Sequence, residues 1–132
     1  MKRNLCSSPL SYISLFSMLI VAFSGSTSLA LQADVSLVVY DQNSPAINHG
    51  AAKITSALEE KGLSTERVNT LGEASGETLI IVGVVQESGE ITRLLLDADV
   101  EIPTEAEALA IHHTRVGGKK ALLVTGSDER GV

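Results

Sequence analysis

The sequence has few aromatic residues and almost no cysteine. Its 132 residues include two tyrosines, two phenylalanines, one cysteine and no tryptophan. Tyr12, Phe16 and Phe23 lie near the amino terminus, so Tyr40 is the only aromatic side chain in the rest of the chain. Sugar-binding modules usually stack the sugar ring on several exposed aromatic faces. A single tyrosine cannot form such a platform, and we therefore expect that this chain does not itself hold a glycan.

The first residues have the pattern of a secretory signal peptide. Lys2 and Arg3 give a basic start, the apolar run SYISLFSMLIVAF follows, and the small residues SGSTSLA end the segment. An apolar run of about a dozen residues is typical of a signal peptide and is shorter than the ~20 residues that span a bilayer. We predict a signal peptide over residues 1–30, cleaved after Ala30, or alternatively after Ala33. The competing interpretation is an uncleaved membrane anchor.

Export by this route determines the chemistry of the mature chain, residues 31–132. Cys6 would be removed, which excludes disulfides and thiol chemistry and suits a bacterial periplasm or exterior. Loss of Lys2 and Arg3 leaves 8 basic residues against 16 acidic ones, a net charge of −8. That charge opposes binding to phosphate backbones and to anionic lipid surfaces. We therefore expect one small exported domain with no nucleic-acid partner and no stable membrane insertion after cleavage.

The mature sequence alternates between strand and helix patterns. ADVSLVVYD is apolar on both faces, which is typical of a strand covered on both sides. The next segment predicts a helix that begins with Ser44 as N-cap and Pro45 at the first position, and that ends before Gly62. LSTERVNT predicts a short edge strand, GEASGE a loop, and TLIIVGVV a second buried strand. Ser88 is then predicted to cap a second helix in GEITRLLLDADV.

The clearest local unit is a hairpin near the end of the chain. EALAIHHTRV and KKALLVTG flank Gly117 and Gly118, a two-residue turn that tolerates positive φ at both positions. The sequence therefore predicts an α/β fold, similar in outline to an α+β sandwich. Its mixed sheet has parallel central strands, a C-terminal antiparallel hairpin and packed helices. SDERGV has the pattern of a helix start, with Ser127 or Asp128 as N-cap. We expect a final helix to cover one sheet face, and that helix is missing from the sequence.

The histidines do not indicate a metal site. His112 and His113 are adjacent on a predicted strand, so their side chains are expected to point to opposite faces. His49 lies far away in sequence, on the first predicted helix. No cysteine or His-x-His spacing supplements them, and we predict no metal ligand and no cofactor.

Acidic residues are numerous, but none is marked as catalytic. A glycosidase needs two carboxylates about 5–10 Å apart across a bound sugar. The pairs that are close in sequence are interpreted as solvated surface charge: Glu59 with Glu60, Asp97 with Asp99, and Glu105 with Glu107. The sequence has no GxSxG motif and no phosphate-binding glycine loop, and its candidate serines, Ser44, Ser88 and Ser127, are interpreted as helix caps. We predict no catalytic residue.

Asp41 is the one acid at a position where α/β folds bind ligands. It follows the first strand, and ligands of such folds bind outside the carboxyl ends of the strands. Asp41 is also an ordinary turn residue ahead of Ser44, and this second interpretation is the one we favour.

The segment KKALLVTGSDERGV carries a family resemblance. It resembles the amino-terminal α/β domain that precedes the catalytic barrel in α-glucuronidases and related glycoside hydrolases, including β-hexosaminidases. In that family an aliphatic hairpin ends in a G-x-D-x-R-G type segment, which leads into a helix that begins V/T-x-Y-G. GSDERGV matches this pattern up to Val132, and the YG part is absent. DVSLVVYD, the helix between Ser44 and Gly62, and TLIIVG follow the family's order of strand, helix and strand.

The resemblance implies a role in polysaccharide or xylan breakdown that is not catalytic in this chain. The family's catalytic carboxylates lie on a barrel of about 250 further residues. Residues 31–132 would then be the N-terminal accessory domain, incomplete at its C-terminus. The polysaccharide would be reached only through the downstream catalytic domain of the same polypeptide. Asp128, Arg130 and Gly131 match a motif whose implied role is architectural: Arg130 would pair with an acid across the domain interface, and Gly131 would allow close backbone approach.

Two other functions remain open from the residues. The first is a free-standing exported α/β module that binds a partner without enzymatic activity. The second is a complete small enzyme that uses Asp41 with a nearby acid or histidine.

Overall fold

The computed structural model describes residues 32–86 and 89–132. The predicted signal peptide, its Ala30 cleavage site and Ser88 lie outside these residues. In chain order the elements are β1 (Val35–Val39), α1 (Pro45–Glu60), β2 (Thr65–Val68), a 3₁₀ turn (Leu71–Glu73), β3 (Thr78–Val84), α2 (Glu90–Asp97), β4 (Leu109–Val116) and β5 (Lys119–Gly126). The segment GEASGE, which we predicted to be a loop, therefore includes part of one 3₁₀ turn.

The five strands form one mixed sheet in the order β2-β1-β3-β5-β4. β1 pairs in parallel with both β2 and β3, and β3 pairs in parallel with β5. β4 pairs antiparallel with β5 around Gly117 and Gly118, which have φ values of 58° and 83°. This arrangement confirms the predicted α/β fold with parallel central strands, a C-terminal antiparallel hairpin and packed helices. β2 lies at one edge of the sheet, as predicted, and β4 lies at the other.

The two helices pack on opposite faces of the sheet. Ser44 caps α1, because its side chain accepts a hydrogen bond from the Ile47 N–H at 3.4 Å, and Gly62 follows the helix with a φ of 77°. Ile47 and Ala51 of α1 pack against one face of β1 and β3. α2 packs against the other face. Its N-cap residue is Gly89, which has no side chain to accept a hydrogen bond from the first turn.

The face covered by α1 is covered over only half of its width. α1 packs over β1, β2 and β3. The side chains on the same face of β4 and β5 lie beyond these main contacts of α1: Leu122 and Val124 on β5 are half-buried beside the α1 cluster, whereas those on β4 are exposed. We call these residues the open half-sheet: Leu109, Ile111, Leu122 and Val124. Leu109 and Ile111 are 52% and 60% exposed, which is unusual for large aliphatic side chains on a sheet.

Candidate functional site

The carboxyl ends of the parallel strands form the edge where α/β folds bind ligands. We call this the carboxyl edge, meaning the ends of β1, β3 and β5 with the loops that follow them. The chain leaves β1 towards α1 on one face and leaves β3 towards α2 on the other. A crevice therefore opens between the ends of β1 and β3, at the point where the strand order reverses.

The crevice is small. Its volume is about 70 Å³, and it lies between Tyr40 and Asp41 at the end of β1 and Gln86 and Glu90 near the start of α2. The Tyr40 hydroxyl is buried close to the Glu90 carboxylate, but among the described residues no group meets both the distance and the angle of a hydrogen bond to it. Burial raises the pKa of Tyr40 and the nearby Glu90 carboxylate raises it further, so the phenol stays neutral. A space of this size holds a few water molecules and is too small for a sugar ring.

Asp41 lies in the turn between β1 and α1, as we favoured. Its φ is 64°, a left-handed conformation that aspartate adopts more readily than most residues. Its carbonyl oxygen accepts a hydrogen bond from the Ser44 N–H at 3.4 Å, which closes the turn. Asp41 also lines the crevice.

The histidines lie apart, as the alternation of a strand dictates. His112 is half-buried on the face that α2 covers, and His113 is exposed on the open face beside Leu122. His49 is exposed on α1. Among residues 32–86 and 89–132, no three histidine, cysteine, aspartate or glutamate side chains converge closely enough to hold a metal ion.

The acidic pairs are all on the surface. Every member is exposed: Glu59, Glu60, Asp97, Asp99, Glu105 and Glu107. Asp99 and Glu107 have positive φ values of 54° and 58°, so both are turn residues. None of these pairs lies in an enclosed cleft with the geometry of a glycosidase site.

The motif Asp128, Arg130 and Gly131 forms a turn attached to the connection before β4. Asp128 Oδ1 accepts hydrogen bonds from the backbone N–H groups of Arg130 and Gly131 at 2.9 and 3.0 Å, and Oδ2 accepts one from Glu107 at 3.0 Å. The bond from Glu107 is the main reason why the pKa of Asp128 lies below its usual value. Arg130 forms an ion pair with Glu107 at 3.1 Å, with both side chains exposed.

Gly131 and Ser127 hold this turn against Ala108. Gly131 is buried, and a Cβ atom at this position would lie 2.5 Å from the Ala108 carbonyl oxygen. The Ser127 N–H donates to that carbonyl at 3.0 Å, and the Ser127 hydroxyl accepts from the Ala108 N–H at 3.1 Å. The prediction that Ser127 caps a helix is therefore wrong, because its hydroxyl bonds to the connection before β4. Asp128 has the capping geometry instead.

The same turn also contacts the start of α1. The Ser44 hydroxyl donates a hydrogen bond to Glu129 Oε2 at 2.9 Å. A carboxylate at this position is favourable because the first turn of a helix carries unpaired N–H groups and a partial positive charge. Val132 packs against the hydrophobic cluster under α1. The chain beyond β5 is therefore attached to the carboxyl edge on the face that carries the open half-sheet.

One polar cluster was missed by the sequence reasoning. It lies at the β2 edge, where Glu66 Oε1 accepts hydrogen bonds from the Ser36 hydroxyl, from the Ser75 N–H at 2.6 Å and hydroxyl at 2.9 Å, and from the Gly76 N–H at 3.1 Å. These bonds, with that from Ser36 the largest cause, lower the pKa of Glu66 to about 2. A sequence signal existed, because Ser36 is the only polar residue within the buried strand VSLVV.

Two further findings concern membrane-spanning helices and similarity to known proteins. No helix within residues 32–86 and 89–132 has the length and apolar character needed to cross a membrane. The fold and the carboxyl edge define a small α/β domain with one half-covered face. No protein-family model matches the chain, and no curated protein matches it.

Proposed function

We propose that this chain is the non-catalytic N-terminal domain of an exported α-glucuronidase-like glycoside hydrolase. Its function is to pack against a downstream catalytic barrel that breaks down xylan or a related polysaccharide. The observation that carries the proposal is the open half-sheet, because an apolar face of this kind needs a cover that the described residues do not supply. The likeness of GSDERGV to the family motif gives the cover a source in the same polypeptide.

The turn after β5 supports this arrangement. Asp128 accepts from the second and third backbone N–H groups that follow it, which is how an aspartate N-cap begins a helix. Val132 then lies in the cluster on the α1 face, beside the open half-sheet. A helix that continued from this turn would start next to the uncovered strands. We propose that this helix, together with the barrel, covers them.

The energetics favour a covered state. Apolar surface contributes roughly 25 cal/mol per Å² when it is removed from water. Covering roughly 200–400 Å² of the open half-sheet would therefore stabilise the domain by on the order of 5–10 kcal/mol, which is comparable to the whole stability of a small domain. We accordingly expect the chain by itself to be marginally stable and prone to bind other apolar surfaces.

Catalysis and glycan recognition are assigned to the downstream domain. The carboxyl edge offers only a crevice of about 70 Å³. Tyr40, the only aromatic side chain after the predicted signal peptide, has a buried hydroxyl and borders that crevice. The domain contributes packing surface instead of reacting groups.

The test is to determine whether the reading frame continues past the codon for Val132. The proposal expects a YG-containing helix followed by a barrel sequence, and release of glucuronic acid from glucuronoxylan oligosaccharides by the full protein. A stop codon directly after Val132, or a continuation with no barrel, would overturn the proposal. A barrel protein that releases no uronic acid would retain the accessory role and overturn the α-glucuronidase assignment.

A free-standing exported interaction module is the second candidate function. The observation that favours it is the outer side of β4, an eight-residue strand at the edge of the sheet with exposed aliphatic side chains. A stop codon after Val132 would select this function over the accessory domain.

A further inference from the structure

The face that carries the open half-sheet changes from apolar to cationic towards the hairpin turn. Two rows of residues cross β3, β5 and β4 at this end of the face: Thr78, Lys120 and Arg115, and then Ile80, Leu122 and His113. The next residues along β5 and β4, Val124 and Ile111, belong to the open half-sheet. Two neighbouring cations therefore lie at the end of a continuous aliphatic surface.

A concavity of about 420 Å³ lies over these two rows. Ile80 and Leu122 supply its aliphatic side chains, and Thr78, Arg115 and Lys120 supply hydrogen-bond donors. No acidic side chain of the described residues lines it, although the chain has 16 acidic residues against 10 basic ones. Its volume lies within the range of small-molecule sites, which are mostly apolar with a few convergent polar groups.

The two cations are placed where they repel each other. Val116 and Lys119 flank the hairpin turn and bond to each other, so the next pair, Arg115 with Lys120, is a non-hydrogen-bonded pair. Side chains lie closest together in such pairs, and like charges that are directly opposite each other destabilise a sheet. An anion that binds both side chains would remove this repulsion.

The described residues supply no such anion. Neither Arg115 nor Lys120 forms an ion pair with a described carboxylate, including Glu77, which borders the surface around the hairpin turn. Arg115 donates one hydrogen bond to the Gly118 carbonyl at 3.3 Å, which leaves most of its donors available. Lys119, on the opposite face, donates to the Ala74 carbonyl at 3.0 Å.

We propose that this concavity binds a small amphiphilic carboxylate, a molecule with one carboxylate group and an apolar body. The carboxylate pairs with Arg115 and Lys120, and the apolar body lies on Ile80 and Leu122 and points towards Val124. From Lys120 to Val124 the strand is about 13 Å long at roughly 3.3 Å per residue, which an extended chain of about ten carbons matches.

This inference goes beyond the proposed function and does not depend on it. The cationic end lies at the hairpin turn, whereas the chain leaves β5 at the carboxyl edge, at the other end of the sheet. A downstream domain that covered the open half-sheet would enclose the apolar body of the ligand. Ligand pockets occur preferentially at such domain interfaces.

The first experiment titrates decanoate into the exported, purified chain by isothermal titration calorimetry, below the concentration at which decanoate forms micelles. Decylammonium has the same tail with the opposite charge, and acetate has the carboxylate without the tail. The proposal expects decanoate to bind at least ~10-fold more tightly than either. Absence of decanoate binding, equal binding of decylammonium (a non-specific apolar face) or equal binding of acetate (an adventitious ion only) would overturn it.

Substitutions by methionine test the cations. The double variant Arg115→Met, Lys120→Met keeps two long apolar side chains and removes both charges, and it is expected to weaken decanoate binding by at least ~10-fold. Lys53→Met with Lys61→Met is the matched control, because both lysines are exposed and the loss of net charge is the same. Equal weakening by the two double variants would overturn the proposal.

The position of the tail is measured by amide chemical shifts in ¹H–¹⁵N spectra. Decanoate is expected to shift the signals of Ile80, His113 and Leu122, and not those of Tyr40 and Glu90 at the crevice. Shifts confined to the crevice would overturn the proposed location. Binding to phosphatidylglycerol vesicles without binding of monomeric decanoate would make this face a membrane-binding surface and would also overturn the proposal.

Discussion

The two edges of the sheet differ in nearly every property that controls strand pairing. β2 has four residues, two of which are charged, and α1 packs over it. β4 has eight residues, and Leu109 and Ile111 are exposed on a face with no helix above them. Glu66 of β2 is bonded to three neighbouring residues, whereas the outward groups of β4 have no bonded neighbour in the β4–β5 ladder.

This difference shows that the β2 edge is protected against pairing with another strand and that the β4 edge is not. Short length, charge and a helix cover are the means by which folded proteins prevent unwanted strand pairing. The β2 edge uses all three, so the domain can protect an edge where it needs to. Among the described residues, β4 lacks these features, so its edge is open to pairing with another strand. The downstream polypeptide of the proposed function would cover the open half-sheet beside that edge.

The largest expected effect concerns the polar cluster at the β2 edge. A Cβ atom at Gly76 would lie 2.6 Å from the Ser36 backbone nitrogen, a contact that requires the backbone to move. We expect Gly76→Ala to lower the free energy of unfolding by about 2–4 kcal/mol, because it combines overpacking with loss of the Glu66 hydrogen bonds. Urea denaturation monitored by circular dichroism measures the change.

Gly72→Ala is the control for that substitution. Gly72 lies in the nearby 3₁₀ turn, and nothing lies within 4 Å of an added Cβ atom there. We expect a change of no more than about 0.5 kcal/mol. Equal destabilisation by the two substitutions would show that the Glu66 cluster does not organise the β2 edge.

The pH dependence of stability is the next largest effect. Because hydrogen bonds to the ionised carboxylate lower the pKa of Glu66 from 4.5 to about 2, the cluster favours the ionised form. Its stabilising contribution is fully present above pH 4.5 and is lost as the pH falls from 4.5 towards 2. The lowered pKa values of Asp34 and Asp128 act in the same direction.

Glu66→Gln is therefore expected to destabilise the chain at pH 7 and to flatten the decrease in stability between pH 4.5 and 2. Thermal melts at half-unit pH intervals measure both effects. Glu77→Gln is the control, since Glu77 is exposed immediately before β3. A wild-type decrease that is unchanged by Glu66→Gln would assign the acid sensitivity to other carboxylates.

Local patterns predicted most of the fold. Ser44, Pro45 and Gly62 fixed the limits of α1, and Gly117 with Gly118 fixed the hairpin, because each of these positions depends on backbone preferences within a few residues. The buried strands followed from runs that are apolar on both faces. These signals are local, and the structure confirms the elements that they predicted.

Contacts between distant segments could not be predicted in the same way. Glu66 lies 30 residues from Ser36 and 10 from Gly76, and the cluster exists only when β1 and β2 are in register. The bonds of Ser127 to the connection before β4 depend on the β4–β5 register in the same manner.

The open half-sheet exposes aliphatic side chains of β4 that periodicity alone would place in the core. In LAIHHTRV the larger aliphatic residues, Leu109 and Ile111, share one face, and periodicity alone would assign that face to the core. The structure exposes that face on β4, because α1 packs over β1, β2 and β3. Only the position of the helix over the sheet, which depends on the whole strand order, decides whether the face of β4 is covered.

The smallest expected effect distinguishes the two edges most directly. Ile111→Ser replaces a side chain that is 60% exposed, so in a monomer it should change the free energy of unfolding by less than about 0.5 kcal/mol. Val68→Ser on β2 should cost about 1 kcal/mol, because Val68 is half-buried against the cluster on the α2 face. Urea denaturation of both variants measures the two changes, and equal destabilisation would show that burial does not distinguish the two edges.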